Sequence, residues 1–203
     1  RFRREGATGA SPLPRVLAVN RKAIVRQEPV TVWLTGLSAA GKTTIALSLE
    51  QRLIRDSRLC YVLDGDRIRL GLNSDLGFSP DDRKENIRRV VEVAGLFNDA
   101  GVIVVTAFIS PYRADRDSAR KTIGPERFIE VFVDAPIEVC EARDSKGLYR
   151  KARAGEVSDF TGVSAPYEPP EAPEIHLRTD TMSIEECVNA IIGFLKSRGL
   201  VEG

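Results

Sequence analysis

Apolar positions along the chain fall into two alternating rhythms. Val30 to Thr35 is a short β-rich run, and Lys42 to Arg55 then carries Ile45, Leu49 and Leu53 at helical spacing. Leu59 to Leu63 reads as a second strand. Ser79-Pro80-Asp81-Asp82 has the form of a helix start, with Ser as N-cap, Pro at the first helical position and acids in the first turn. That helix is expected to run to about Ala100 and to stop at Gly101. Val102 to Phe108 is almost wholly apolar, as a strand covered on both faces requires. Phe128 to Val133 reads as a fourth strand, Pro136 to Arg143 as a helix and Glu174 to Arg178 as a fifth strand. Ser183 and Glu186 form a capping box ahead of Ile184, Val188, Ile191, Ile192 and Leu195, which share one helical face. Strands alternating with helices predict an α/β fold in three layers, with right-handed crossovers around a mostly parallel sheet of about five strands.

Two segments break the rhythm. Residues 144–173 hold four prolines and three glycines with no clean period, and are expected to form a lid, centred on residues 144–168. Residues 1–28 carry seven basic and two acidic residues, and read as a flexible basic tail or interdomain linker before a domain spanning 29–203.

Composition narrows the chemistry. The 203 residues include 30 Lys+Arg against 29 Asp+Glu, a net +1 that hides +5 on residues 1–28 and −4 on the remainder. Near-neutrality gives no electrostatic reason to expect nucleic acid, and the tail lacks the interleaved aromatics of a nucleic-acid arm. No apolar run approaches the roughly 20 residues of a membrane helix, and no secretory leader pattern is recognised. His176 is the single histidine, which excludes a His-rich metal site. Cys60, Cys140 and Cys187 are odd in number and widely spaced, which favours a reducing, cytoplasmic setting.

Gly36-Leu37-Ser38-Ala39-Ala40-Gly41-Lys42-Thr43 fits the phosphate-loop pattern GxxxxGK[ST], between a predicted strand and a predicted helix. Backbone N–H groups of such a loop wrap phosphate oxygens, its lysine pairs with the β/γ-phosphates, and its hydroxyl ligates Mg²⁺. Asp64-Gly65-Asp66 ends the second strand, where carboxylates face the same side as the phosphate loop. One carboxylate there suits magnesium or its water, and one suits the proton of an attacking hydroxyl. A solvated Asp-Gly turn is the alternative. The long lid favours a kinase over a hydrolase, because transfer to an acceptor other than water needs water excluded. No guanine-reading NKxD element is present.

Further blocks make the chain resemble adenosine 5′-phosphosulfate (APS) kinases, within the P-loop kinases, from about Val32 to Thr179. They are Leu-Asp-Gly-Asp at 63–66, Asp-Leu-Gly-Phe-Ser at 75–79, Asp-Arg-Lys-Glu-Asn-Ile-Arg-Arg at 82–89 and Phe-Ile-Ser-Pro-Tyr-Arg at 108–113. Lys-Gly-Leu-Tyr at 146–149, Lys-Ala-Arg-Ala-Gly-Glu at 151–156, Phe-Thr-Gly at 160–162 and Pro-Tyr-Glu at 166–168 complete them. The resemblance implies transfer of the γ-phosphate of ATP to the 3′-hydroxyl of APS, with Mg²⁺ as cofactor, in sulfate assimilation. It implies that Gly36, Ser38, Ala39, Ala40, Gly41, Lys42, Thr43, Thr44, Arg143 and Thr179 serve ATP. It gives Thr43 and Asp64 to the metal, and to Asp64 also the orientation or deprotonation of the 3′-hydroxyl.

On the acceptor side the resemblance implies a sandwich of the APS adenine between Phe78 and Phe160, the latter expected to have little core to join. Arg69, Arg83 and Asn86 match positions that bind the phosphosulfate, with Asp66, Arg67, Ile109, Ser110, Lys146 and Asp159 around them and Arg153 in the lid. Ser110 has two readings, a substrate contact or a phosphoserine intermediate. In-line transfer needs no covalent step, and no histidine stands near it in sequence. Two positions depart from the family: Arg67-Ile68-Arg69-Leu70 replaces Asn-Val-Arg-His, and Ser164 stands where Asp is frequent. The resemblance also implies a homodimer and an ATP sulfurylase as fusion or partner. A kinase of nucleoside monophosphates or sugar acids, and a degenerate regulatory domain, are the rival readings. The Phe78–Phe160 pair argues against a non-aromatic acceptor such as a sugar acid, and the retained Lys42, Thr43, Asp64 and Arg83 against the degenerate domain.

Overall fold

The structure, a computed structural model, describes residues 24, 25 and 27–201. Most of the expected tail therefore lies outside the described residues. Gln27 is buried, and its amide donates to the carbonyls of Leu59 and Gly101 at 2.8 Å each while accepting from the Leu59 N–H.

Five strands form one parallel sheet: β1 (Thr31–Thr35), β2 (Cys60–Asp64), β3 (Ile103–Ala107), β4 (Phe128–Asp134) and β5 (Ile175–Arg178), in the order β2-β3-β1-β4-β5. The helices are α1 (Lys42–Arg55), α2 (Gly65–Arg69), α3 (Pro80–Asp99), α4 (Arg113–Ile123), α5 (Ile137–Ala142), α6 (Leu148–Arg153) and α7 (Ile184–Ser197). Side chains alternate across each strand, so one chain segment serves two cores. Val30, Val32 and Leu34 join Ile45, Leu49 and Leu53 of α1 and Ile191 and Leu195 of α7 on one face. Trp33 and Val104 join Ile87, Val90 and Ala94 of α3 and Ala119 and Ile123 of α4 on the other. This is the predicted three-layer arrangement. No described helix is long and apolar enough to cross a membrane.

The predicted helix starts are built as expected. The Ser79 hydroxyl accepts from the Asp82 N–H with Pro80 in the first turn, and Ser183 with Glu186 completes a capping box. The expectations differ from the structure at three helices. α4 went unread because the inward positions of its apolar stripe are few and one of them, Arg116, is a buried charge. α2 is one turn long and carries no buried residue, so it has no apolar stripe. α6 lies inside the segment read as patternless, where Tyr149 and Ala152 turn inward.

Because all strands run the same way, their C-terminal ends converge on one edge of the sheet. The loops after β1, β2, β3 and β5 there enclose a cleft of about 690 Å³.

Candidate active site

The donor half of the cleft grows from the β1–α1 loop. Gly36 has φ +149°, and a Cβ there would lie 2.1 Å from the Val133 carbonyl oxygen. Only glycine lets the loop leave β1 this close to β4. Gly41, at φ +102°, precedes α1 with no side chain capping the helix and no acid in its first turn. The first N–H groups of α1 and the positive end of its dipole are thus directed at the cleft for an anion. Lys42 is buried, and its ammonium donates to the carbonyls of Gly36 (2.9 Å) and Leu37 (2.6 Å). Burial lowers its pKa to about 8, against the opposing pull of Cys140, Asp64 and Asp66. Ser38, Ala39, Thr43 and Thr44 line the cleft beside it. Ala40 lies fully buried behind the loop, where its carbonyl accepts from the Thr179 hydroxyl at 2.9 Å. Arg143 donates to the Thr179 carbonyl at 2.8 Å, so Arg143 and Thr179 form one wall. Leu148, Met182 and Ile184 extend this wall with apolar surface that the sequence reading did not assign.

Asp64 is the junction between the two halves. One carboxylate oxygen accepts from the Thr43 hydroxyl at 2.8 Å, and the other caps α2 through the N–H groups of Asp66 (3.0 Å) and Arg67 (3.3 Å). A hydroxyl and a carboxylate held together are hard oxygen donors of the kind Mg²⁺ takes alongside substrate phosphates. Among the described residues no group of three or more His, Cys, Asp or Glu is arranged to hold a metal without such phosphates.

The acceptor half is rich in arginine. Arg69 donates to the carbonyls of Leu76 and Gly77 at 2.9 Å each, and its guanidinium stands 4.3 Å from the centroid of Phe78. Burial and the nearby charge of Arg83 lower the Arg69 pKa. Arg83 donates to the Phe78 carbonyl, the Thr161 hydroxyl and the Asp159 carbonyl, at 2.9, 2.9 and 2.5 Å. Phe78 is 62% exposed, and the Arg83 guanidinium also stands over its ring, 6.0 Å from the centroid. Asn86 is a buried residue of the cleft lining, and its amide oxygen accepts from Asn73 at 2.9 Å. Ile109 and Ser110 close the floor. Ser110 has φ +38° and its hydroxyl accepts from the Trp33 indole at 3.1 Å.

The lid bridges both halves. Lys146 pairs with Asp66 across the cleft mouth. Phe160 lines the cleft but is only 9% exposed, packed edge-on against Tyr149 with ring centroids 4.9 Å apart. This corrects the expectation that it has little core to join: the Tyr149 hydroxyl donates to the Ser38 carbonyl at 3.0 Å, so α6 brings core to the lid. On the ATP side Gly36 and Ala40 do not line the cleft, and on the acceptor side and lid three further expected residues do not. The Arg153 guanidinium turns to Glu141 at 2.7 Å, because α6 points that face outward. Arg67 stands over the Tyr61 ring, 5.9 Å from its centroid. Asp159, at φ +55°, contributes its carbonyl to Arg83. Sequence reasoning missed Trp33, Asn73, Tyr149 and Arg116, all behind the cleft surface. The only signal was their position inside or beside the blocks of resemblance.

Comparison with known proteins agrees with this geometry. The family model described as adenylylsulphate kinase matches residues 28–178. The adenylyl-sulfate kinase of Saccharomyces cerevisiae is 55% identical over 198 residues, covering 96% of this chain and 98% of the relative. The APS kinase of Mycobacterium tuberculosis, solved in complex with AMPPNP and APS, is 46% identical with a TM-score of 0.80, over 84% of this chain and 99% of that one. A hexameric APS kinase from Thiobacillus denitrificans is 32% identical with a TM-score of 0.66, over 87% of this chain and 30% of that one. The chain belongs to the adenylyl-sulfate kinase family.

Proposed function

We propose that this protein transfers the γ-phosphate of ATP to the 3′-hydroxyl of APS, giving 3′-phosphoadenylyl sulfate and ADP, in sulfate assimilation. The observation that carries the reading is the continuity of the cleft: the phosphate loop with Lys42 and the Phe78–Arg69–Arg83–Asn86 surface open into the same space, with Asp64 between them. A nucleotide triphosphate at the α1 N-terminus directs its γ-phosphate toward Asp64. An adenylate on Phe78 and Phe160 is clamped by stacking and by guanidinium forks suited to phosphate and sulfate oxygens. The Asp64 carboxylate accepts the hydrogen bond of the acceptor hydroxyl and orients its lone pair for in-line attack. Lys42 and the α1 N–H groups take up charge that develops on the transferring phosphoryl group. Mg²⁺ held by Thr43 and Asp64 would neutralise the β- and γ-phosphate oxygens.

Ser110 acts in this reading as a substrate contact. Its hydroxyl already accepts from Trp33, and His176, stacked on Phe132 and paired with Asp134 at 2.9 Å, lies outside the cleft. The proposal includes a cytoplasmic setting, supported by the buried free thiols of Cys60, Cys140 and Cys187, and a homodimer. It also includes residues 1–28 as the link to an ATP sulfurylase.

The test is ADP release with ATP and magnesium, with and without APS, for the intact chain and Lys42→Ala. APS-dependent ADP is expected from the intact chain, with a loss of at least about 100-fold in the variant. No APS dependence sinks the reading. Equal release with AMP in place of APS reassigns the chain to nucleoside monophosphates.

A further inference from the structure

Arg116 is the buried charge that interrupts the apolar stripe of α4. It is 2% exposed, and every nitrogen of its guanidinium donates: to the Glu130 carboxylate, the Ser110 carbonyl and the Glu168 carbonyl, at 2.7 Å each. A buried guanidinium is tolerated only when fully partnered. Two of its three partners are backbone atoms of distant segments, one from the cleft floor after β3 and one from the exit of the lid. The same junction is reinforced from either side. The Glu168 N–H donates to the Pro111 carbonyl at 2.9 Å, and the Glu168 carboxylate accepts from the Arg113 N–H at 2.7 Å. The Thr35 hydroxyl lies 2.7 Å from the Ile109 carbonyl and 3.0 Å from the Tyr167 hydroxyl.

At the centre of this junction Ser110 holds φ +38°, a conformation a serine keeps only when its surroundings impose it. With its carbonyl drawn toward Arg116, its hydroxyl meets the Trp33 indole at 3.1 Å. An indole N–H only donates, so the Ser110 oxygen accepts and its own hydrogen remains for a ligand in the cleft. We infer that Arg116 is a positioning residue for the phosphoryl acceptor: it fixes the Ser110 hydroxyl as a donor on the acceptor side and fastens the lid exit to the same point. Glu130, in register with Trp33 on β4, supplies the counter-charge that lets Arg116 stay buried. The inference rests on the APS reading for the identity of the acceptor, but not for the geometry.

The single tryptophan gives a readout independent of turnover, since Trp33 touches Ser110 directly. The full chain is compared with Arg116→Lys, which keeps a cation beside Glu130 but loses the fork. Arg113→Gln serves as control, because it cuts the contacts of the same helix to Pro169 and Glu171 without touching Ser110. Arg116→Lys is expected to shift Trp33 emission in the absence of substrates. It is also expected to lower kcat/KM for APS at least about tenfold, with KM for ATP held within about twofold. Arg113→Gln is expected to leave the emission unchanged. Unshifted emission in folded Arg116→Lys, or equal losses toward ATP and APS, would overturn the inference. Shifted emission in a chain whose wild type shows no APS-dependent turnover would retain the positioning role and discard the APS reading. If Arg116→Lys does not fold, Arg116→Gln combined with Glu130→Gln removes the charge pair. Unchanged emission there overturns the inference equally.

Discussion

Lys42 joins two properties that oppose each other: it must carry charge to meet phosphate, yet burial lowers its pKa to about 8. Phosphate oxygens beside it favour the ammonium and raise that value again. Between the free and bound values, nucleotide binding takes up a proton, and affinity falls as pH rises through about 8. Calorimetry in buffers of different ionisation heat is expected to show proton uptake at about pH 9 that shrinks toward pH 6. Equal uptake at both would remove Lys42 as its source. The two phenylalanines of the acceptor site differ just as sharply. Phe78 is mostly exposed, so Phe78→Ala is expected to weaken APS binding with stability changed by less than about 0.5 kcal/mol. Phe160 packs on Tyr149, so Phe160→Ala is expected to weaken APS binding and also to cost about 2–4 kcal/mol in denaturant titration. Equal stability of the two variants would contradict the packing role. Sequence alone marked both rings as stacking partners, because their blocks carried that meaning. It did not show the burial of Phe160, which depends on Tyr149 folding back onto Ser38.

Among the elements, legibility followed the source of each element's stability. α3 and α7 announce themselves through their caps, Ser79 with Pro80 and Ser183 with Glu186, which are local interactions written in adjacent residues. α4 is held by Arg116 reaching Glu130, Ser110 and Glu168, contacts that exist only after β4 and the lid exit have assembled. No local period reports such a contact. The β1–α1 turn is the opposite case, since the phosphate-loop pattern encodes a backbone path. Gly36→Ala places a Cβ against the Val133 carbonyl and must part the loop from β4. A loss of at least about 2–3 kcal/mol is expected, read as a lower denaturation midpoint, together with weakened nucleotide binding. A midpoint equal to wild type would show that the loop has room the geometry denies.

At the scale of the molecule, the alternating pattern implied a parallel sheet with two covers, and the structure has that architecture. The order β2-β3-β1-β4-β5 was not readable, because it is set by pairings such as Trp33 with Thr106 and Glu130 across long crossovers. That order places β1 between the two halves of the cleft. The phosphate loop leaves its end, Asp64 comes from β2 on one side, and Arg143 and Thr179 follow β4 and β5 on the other. The donor and acceptor surfaces therefore lie on opposite flanks of one strand.

The packing of the lid has a consequence for how the chain breaks. Tyr149 and Ala152 are anchored in the core and Phe160 is anchored again beyond them, while residues 153–156 and 158–159 between the anchors are exposed. A glutamate-specific endoproteinase is expected to nick after Glu156 well before it cuts elsewhere in the lid. Trypsin is expected to spare Arg150 and Lys151, which belong to the anchored turn. The two fragments should co-elute, since both sides of the nick remain seated in a common core, and ligands that bring the lid down should lengthen the half-life of the intact band.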